Sequence, residues 1–239
     1  MKTAKTVAFI FARGGSKGLP EKNILPINGQ PMLALGIQIA QQIQEVSSIF
    51  VSTDCPKIAK IAKANHAQII MRPHHLASDS APEWLAWQHA IKYVQSTHGN
   101  FDKFLSLPPT APCRQLDDVR RCLDALTSKV DIVLTITPSQ RNPWFNMVTK
   151  NSGDFLKLVN GTETVKRRQD APKCFDIATV AYVSRPEYIM NTNGLWEGQV
   201  RGVEVPNERA IDIDTPVDYA IARFISEQYI PSLPSPSHA

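Results

Sequence analysis

Phe11-Ala-Arg-Gly-Gly-Ser-Lys-Gly-Leu-Pro-Glu-Lys-Asn23 follows directly on an apolar, β-branched and aromatic run, Thr6–Ala12. Backbone amides that glycine leaves uncovered at the end of a buried strand can wrap phosphate oxygens. Three glycines and three cations in one loop suit an oligophosphate. Arg13 and Lys22 are the candidates for gripping it and stabilising a transition state, with Gly14, Gly15 and Ser16 as cradle donors. Lys17 is either a further contact or a solvated charge. Two familiar phosphate motifs do not fit. Walker A needs Gly-x-x-x-x-Gly-Lys-Ser/Thr, and the dinucleotide fingerprint needs Gly-x-Gly-x-x-Gly plus an acid about 20 residues on. Here the glycines read Gly14-Gly15-x-x-Gly18, and Leu33–Gln38 holds no acid, so a kinase-like ATPase and a dehydrogenase both lose ground.

Outward from this loop, short apolar runs recur at Ser48–Thr53, Gln68–Met71, Lys103–Leu107 and Asp131–Thr137, each bounded by turn residues as strands buried on both faces are. Helix-like segments separate them: Pro31–Gln44, Pro56–Asn65, Pro82–His98 with Trp84 and Trp87 on its core face, and Leu116–Ser128. This alternation predicts an α/β fold with a mainly parallel sheet, helices on both faces and ligands at the C-terminal strand ends. The rhythm breaks after Thr137. Pro138–Asp176 reads as an insertion carrying Lys166-Arg167-Arg168, followed by strand-like Ile177–Val183, a last strand near Val203–Ile213 and a helix Pro216–Tyr229. The expected division is 1–137 with 177–230 as one α/β domain, 138–176 as insertion and 231–239 as a frayed tail.

Composition agrees with one large domain: 239 residues, 43% hydrophobic and 20% charged, with a formal net charge of +4. So small an excess suits an anionic small molecule and is weak evidence for nucleic acid; the total alone decides nothing. Cys55, Cys113, Cys122 and Cys174 form no C-x-x-C pair, which points to a reducing compartment. The apolar stretch after Met1 is too brief for a signal peptide, and no run reaches membrane-spanning length. A cytoplasmic location is expected.

The glycine loop, read as Ala-Arg-Gly-Gly-Ser-Lys-Gly-Leu-Pro-x-Lys-Asn, resembles the first signature of the acylneuraminate cytidylyltransferases, the CMP-sialic acid synthetases. Further segments agree in order: Val51-Ser-Thr-Asp54, Arg72-Pro-x-x-Leu-Ala-Ser-Asp-Ser80, Pro109-Thr-Ala-Pro112, Arg168-Gln-Asp-x-Pro172 and Ile211-Asp-Ile-Asp-Thr-Pro216. The resemblance implies an enzyme that joins CMP from CTP to the anomeric oxygen of an acidic 2-keto sugar and releases pyrophosphate. It also implies magnesium, a nucleotide-diphospho-sugar-transferase-like fold and a homodimer built through the insertion. By the same likeness Asn23 holds the nucleotide, Arg72 and Ser80 recognise cytosine, and Thr110, Arg168 and Gln169 face the sugar. The gathering of cations at Arg13, Lys17, Lys22, Arg72 and Lys166–Arg168 fits an anionic nucleotide and an acidic sugar, with no nucleic acid expected. Ser80 also suits an N-cap for the helix after Pro82, and Asp54 a cap for the helix after Pro56.

Asp212-Ile213-Asp214 is the metal candidate. In extended backbone alternate residues share a face, so both carboxylates point one way while Ile213 points to the core, and magnesium prefers oxygen ligands. Asp214 is equally suited to cap the following helix. The likeness thins on the sugar side. Where the family usually has Leu-Gln-Pro-Thr-Ser-Pro, this chain reads Leu107-Pro108-Pro109-Thr110-Ala111-Pro112, and Ile177-Ala-Thr-Val-Ala181 replaces the usual Asn-Gly-Ala element. Proline has neither the donor nor the acceptor of a glutamine amide, so the expected sugar is not ordinary N-acetylneuraminate. Two rivals stand beside this reading. A 3-deoxy-manno-octulosonate cytidylyltransferase has a Ser-x-Arg pattern that fits the loop less well, and a catalytically silent nucleotide-binding module would not need Asp212 and Asp214.

Overall fold

The computed structural model describes residues 4–15, 18–161 and 165–228. The chain opens with β1 (Thr6–Phe11), passes a two-stranded hairpin of β2 (Pro26–Ile27) and β3 (Gln30–Pro31), and enters α1 (Met32–Gln41). Strand and helix then alternate through β4 (Val46–Thr53), α2 (Pro56–Ala64), β5 (Gln68–Met71), α3 (Glu83–His98), β6 (Lys103–Ser106), α4 (Leu116–Ala125) and β7 (Ile132–Pro138). A second hairpin, β8 (Val148–Lys150) and β9 (Leu156–Leu158), stands apart from the main sheet. β10 (Phe175–Ser184), α5 (Pro186–Asn191), β11 (Val200–Glu204) and α6 (Pro216–Gln228) follow.

The central sheet has seven strands in the order β11-β7-β10-β6-β1-β4-β5. Every pairing is parallel except those of β10, which runs antiparallel between β6 and β7. Sheet order reverses beside β1, whose neighbours are β4 on one side and β6 on the other, and such a switch point leaves a crevice at the C-terminal strand ends. Alternate residues of β1 supply both cores. Val7 and Phe9 pack with Trp84, Trp87 and Ile91 of α3. Ala8 and Ile10 pack with Leu33 and Ile37 of α1, Ile58 of α2 and Val119 of α4. Each large side chain buried as fully as Phe9 contributes roughly 1.5–3 kcal/mol.

A third cluster, Ile27, Met32, Cys113, Ile213 and Ala222, ties the first hairpin, the loop after β6 and α6 together beneath the crevice. Ile213 is its anchor. The expected strand Val203–Ile213 ends instead at Glu204, because Val205 donates the last ladder bond to Ile136 and Pro206 has no N–H to continue it. The Asp-Ile-Asp segment is therefore irregular extended chain, fixed by the Ile213 amide donating to the Thr110 carbonyl at 2.9 Å. Helix α5 and both hairpins were not expected from the sequence; they are too short to show a period. The end of the last helix at Tyr229 and the tail 231–239 lie outside the described residues.

Candidate active site

A cleft of about 730 Å³ opens at the C-terminal ends of β1, β5 and β6. Arg13, Gly18, Lys22, Asn23, Arg72 and Thr110 line it, together with Asp212 and Asp214. Residues from opposite ends of the chain, such as Arg13 and Asp214, thus meet where the switch point places them.

The glycine loop is held by its neighbours. The Gly14 amide donates to Asp54 Oδ1 at 2.9 Å, and a Cβ at Gly14 would stand 2.8 Å from the Cβ of Cys55. Only glycine fits there, and Asp54 secures the loop instead of capping α2, whose N-cap is Cys55. A Cβ at Gly18 would stand 2.7 Å from the Asp214 carbonyl oxygen, so the loop leans directly on the acidic segment, whereas Gly15 faces open space. Buried Asn23 donates from Nδ2 to the Arg13 carbonyl at 3.0 Å, which makes it a brace of the loop's backbone. Arg13 pairs with Asp79 at 2.5 Å and Lys22 Nζ with Asp214 Oδ1 at 2.6 Å. Ser16 and Lys17 lie outside the described residues.

Arg72 is buried on the cleft floor with its guanidinium 5.6 Å above the Phe11 ring. Nε donates to the Ser52 hydroxyl at 3.1 Å and Nη2 to the Ser52 carbonyl at 2.7 Å. Burial lowers its pKa, opposed by the charges of Glu83 and Asp54. Ser80 is exposed beside the cleft without lining it, and α3 begins after Pro82 with no side-chain cap. Thr110 does reach the cleft, behind Pro108 and Pro109, and the wholly buried Arg114 donates to the Pro108 carbonyl. Burial pushes the Arg114 pKa down to about 9. Arg168 and Gln169 are exposed on a turn of the insertion, with Arg168 Nη2 donating to the Gln140 carbonyl, and neither lines the cleft of its own chain.

Asp212 has Oδ1 buried without a hydrogen-bond partner among the described residues. Burial raises its pKa, the neighbouring Thr110 hydroxyl acts against that, and the charge of Asp214 adds to it. An orphaned carboxylate oxygen next to a second carboxylate, in a cleft that Arg13 and Lys22 also line, fits the donor set of a hard divalent cation. No larger cage exists: among the described residues no three His, Cys, Asp or Glu side chains gather as a metal cluster.

Several lining residues were not anticipated, among them Asp79, Glu83, Thr179 and Tyr182. Thr179 and Tyr182 look like core strand in the sequence. They are aimed into the cleft by a bulge, where the pairing of β10 with β7 jumps from Ala178–Thr135 to Tyr182–Leu134. The buried Thr135 hydroxyl repairs the broken ladder, donating to the Ala178 carbonyl at 2.6 Å and accepting from the Val180 amide at 3.2 Å. Burial, with Glu83 and Asp212 nearby, pushes the Tyr182 pKa up to about 12. Glu83 reads in the sequence as an ordinary first-turn acid, favoured there by the helix dipole.

A family model described as Cytidylyltransferase matches residues 7–93. The CMP-N,N'-diacetyllegionaminic acid synthase of Campylobacter jejuni is 31% identical over 226 residues, covering 93% of this chain and 95% of that one. The N-acylneuraminate cytidylyltransferase of Streptococcus agalactiae is 25% identical over 90% of this chain, which spans 52% of that longer protein. Among solved structures, a CMP:2-keto-3-deoxy-manno-octonic acid synthetase complexed with CTP superposes with a TM-score of 0.70 at 19% identity, covering 94% of this chain and 99% of that one, which shows a shared fold. With a relative alike along nearly its whole length and the glycine loop, cleft and acidic segment in place, the chain belongs to the acylneuraminate cytidylyltransferase family of nucleotidyltransferases.

Proposed function

We propose that the protein transfers CMP from CTP to the anomeric hydroxyl of an acidic 2-keto-3-deoxy sugar of the nonulosonate class, releasing pyrophosphate, in the cytoplasm. The observation that carries this reading is the convergence of Arg13, Lys22 and Arg72 with Asp212 and Asp214 on one cleft at the switch point. Attack of a sugar hydroxyl on an α-phosphate brings anions together, so the site must align groups and neutralise charge. Arg13 and Lys22 supply positive charge, the loop amides not spent on Asp54 supply oriented dipoles, and the bonds from Gly14 to Asp54 and from Asn23 to the Arg13 carbonyl hold the loop's backbone in place. Asp212 and Asp214 would hold Mg²⁺, which when bound offsets phosphate charge.

The reading extends to a homodimer. The insertion exposes Phe155, Leu156 and Val148, and the adjacent start of β10 exposes Phe175 and Ile177. An apolar surface of this kind suits a second copy. The basic turn at Arg168–Gln169 would then serve the partner's cleft, its guanidinium meeting the sugar carboxylate. Non-neuraminate specificity is supported by Pro108 and Pro109 lining the cleft and by the greater identity to a relative named for legionaminic acid than to one named for N-acylneuraminate.

Pyrophosphate release from CTP and magnesium with a panel of acidic nine-carbon and eight-carbon sugars tests this. Turnover is expected with a legionaminic-type sugar above N-acetylneuraminate. Best turnover with N-acetylneuraminate overturns the specificity, and no release with any acidic sugar overturns the reaction. A Gly14→Ala variant is expected to bind CTP roughly tenfold or more weakly by calorimetry, since the new methyl must push the loop off Cys55 and Asp54. Unchanged affinity would remove this loop from the nucleotide site.

A further inference from the structure

We infer that Glu83 is the specificity-determining residue by which the cleft distinguishes cytosine from uracil, its carboxylate accepting a hydrogen bond from the exocyclic amino group. This rests on the CTP reading above and names a base contact from a residue that lines the cleft, as Ser80 does not.

Glu83 is the first residue of α3 and faces the cleft beside Arg72 and Tyr182. Burial raises the Glu83 pKa, opposed by the Trp87 hydrogen bond and the Arg72 charge, and a carboxylate in this place repels the phosphates and the sugar's own carboxylate. Whatever sits against it must therefore donate a hydrogen bond and carry no negative charge. The nucleobase meets that condition when it bears an amino group.

The geometry supplies the other half of the edge. Arg72 spends Nε and Nη2 on Ser52, which leaves the donors of Nη1 beside the acceptor on Glu83. Cytosine accepts at O2 and N3 and donates at its 4-amino group, so a donor next to an acceptor reads it directly. Uracil donates at N3 and accepts at O4, and both would meet the wrong partner.

Trp87 fixes the carboxylate. Its indole N–H donates to Glu83 Oε1 at 3.2 Å, and its ring is packed against Phe11, Phe104 and Tyr182. One oxygen is thereby held and the other left for the base. In a Glu83→Gln variant the same indole N–H would retain the amide oxygen and turn the NH₂ toward the base, a donor suited to the 4-oxo group of uracil.

The test measures CTP and UTP affinity by calorimetry without sugar, and pyrophosphate release separately, for the parent protein, Glu83→Gln and Glu83→Ala. The parent is expected to prefer CTP. Glu83→Gln should lose roughly 10- to 100-fold in CTP affinity and gain in UTP affinity, so that the preference collapses or reverses. Glu83→Ala should lose the preference without the gain, and the melting temperatures of both variants show whether they fold. A parent without base preference, a CTP-to-UTP ratio unchanged in both variants, or an effect confined to the sugar's KM overturns the inference. Selective CTP binding that collapses in Glu83→Gln without transfer to any acidic sugar sustains Glu83 and overturns the transfer reaction. Transfer with an unchanged ratio does the reverse.

Discussion

An Asp212→Asn enzyme is expected to release pyrophosphate about 10²- to 10³-fold more slowly than the parent at saturating CTP, while folding at least as stably. Two features of Asp212 give the expectation its two parts. Its Oδ1 is buried with no partner among the described residues, in a cleft that Arg13 and Lys22 also line, so on the proposed metal reading its charge serves a bound cation. Asparagine keeps the shape and removes the charge. The raised pKa means that the folded protein binds the Asp212 proton more tightly than the unfolded chain does. The parent therefore loses stability as pH rises from the unfolded carboxylate value through the higher folded one, and Asn does not. Melting curves without ligand should show no advantage for Asp212→Asn in strong acid and an advantage near neutral pH. Turnover within threefold of the parent would end the metal assignment of Asp212, and an unaltered pH dependence of melting would end the account of its burial.

Lys22→Met is the second large effect, a fall of about 10²-fold in kcat/KM for CTP with little change in melting temperature. Lys22 is largely withdrawn from solvent and its ammonium lies 2.6 Å from Asp214 Oδ1, so it presents a fixed charge at the junction of the glycine loop and the acidic segment. Methionine retains the stem's packing and deletes only the cation. Lys22→Arg is expected to restore less than a tenth of the loss, because a planar fork cannot occupy the place of a compact ammonium against one carboxylate oxygen. Steady-state pyrophosphate release checks both. A threefold or smaller loss in Lys22→Met would assign Lys22 to holding Asp214 and not to the reaction.

These expectations draw on features of unequal legibility. The position of the glycine loop at the end of β1 was legible, because its cations and glycines lie close together and follow a strand whose apolar run is unmistakable. The alternation of Asp212, Ile213 and Asp214 was legible too, since Ile213 is buried in a core cluster while its neighbours face the cleft, although the segment proved not to be strand. Ser80 and Asp54 both suited helix caps, and the structure sets both caps aside: α2 and α3 start without them, and Asp54 holds Gly14.

Local pattern determined the alternating α/β order, the buried strands and the glycine loop, because periodicity, turn residues and glycine spacing act over a few residues and are written in the chain. Only tertiary structure decided that β10 runs antiparallel between β6 and β7, and that its bulge turns Thr179 and Tyr182 into the cleft. It likewise placed Glu83 beside Arg72, and left Arg168 and Gln169 outside their own chain's cleft. Those outcomes depend on which strand finds which neighbour. That choice is made by burial and hydrogen-bond closure between segments distant in the sequence, and no local run of residues records it.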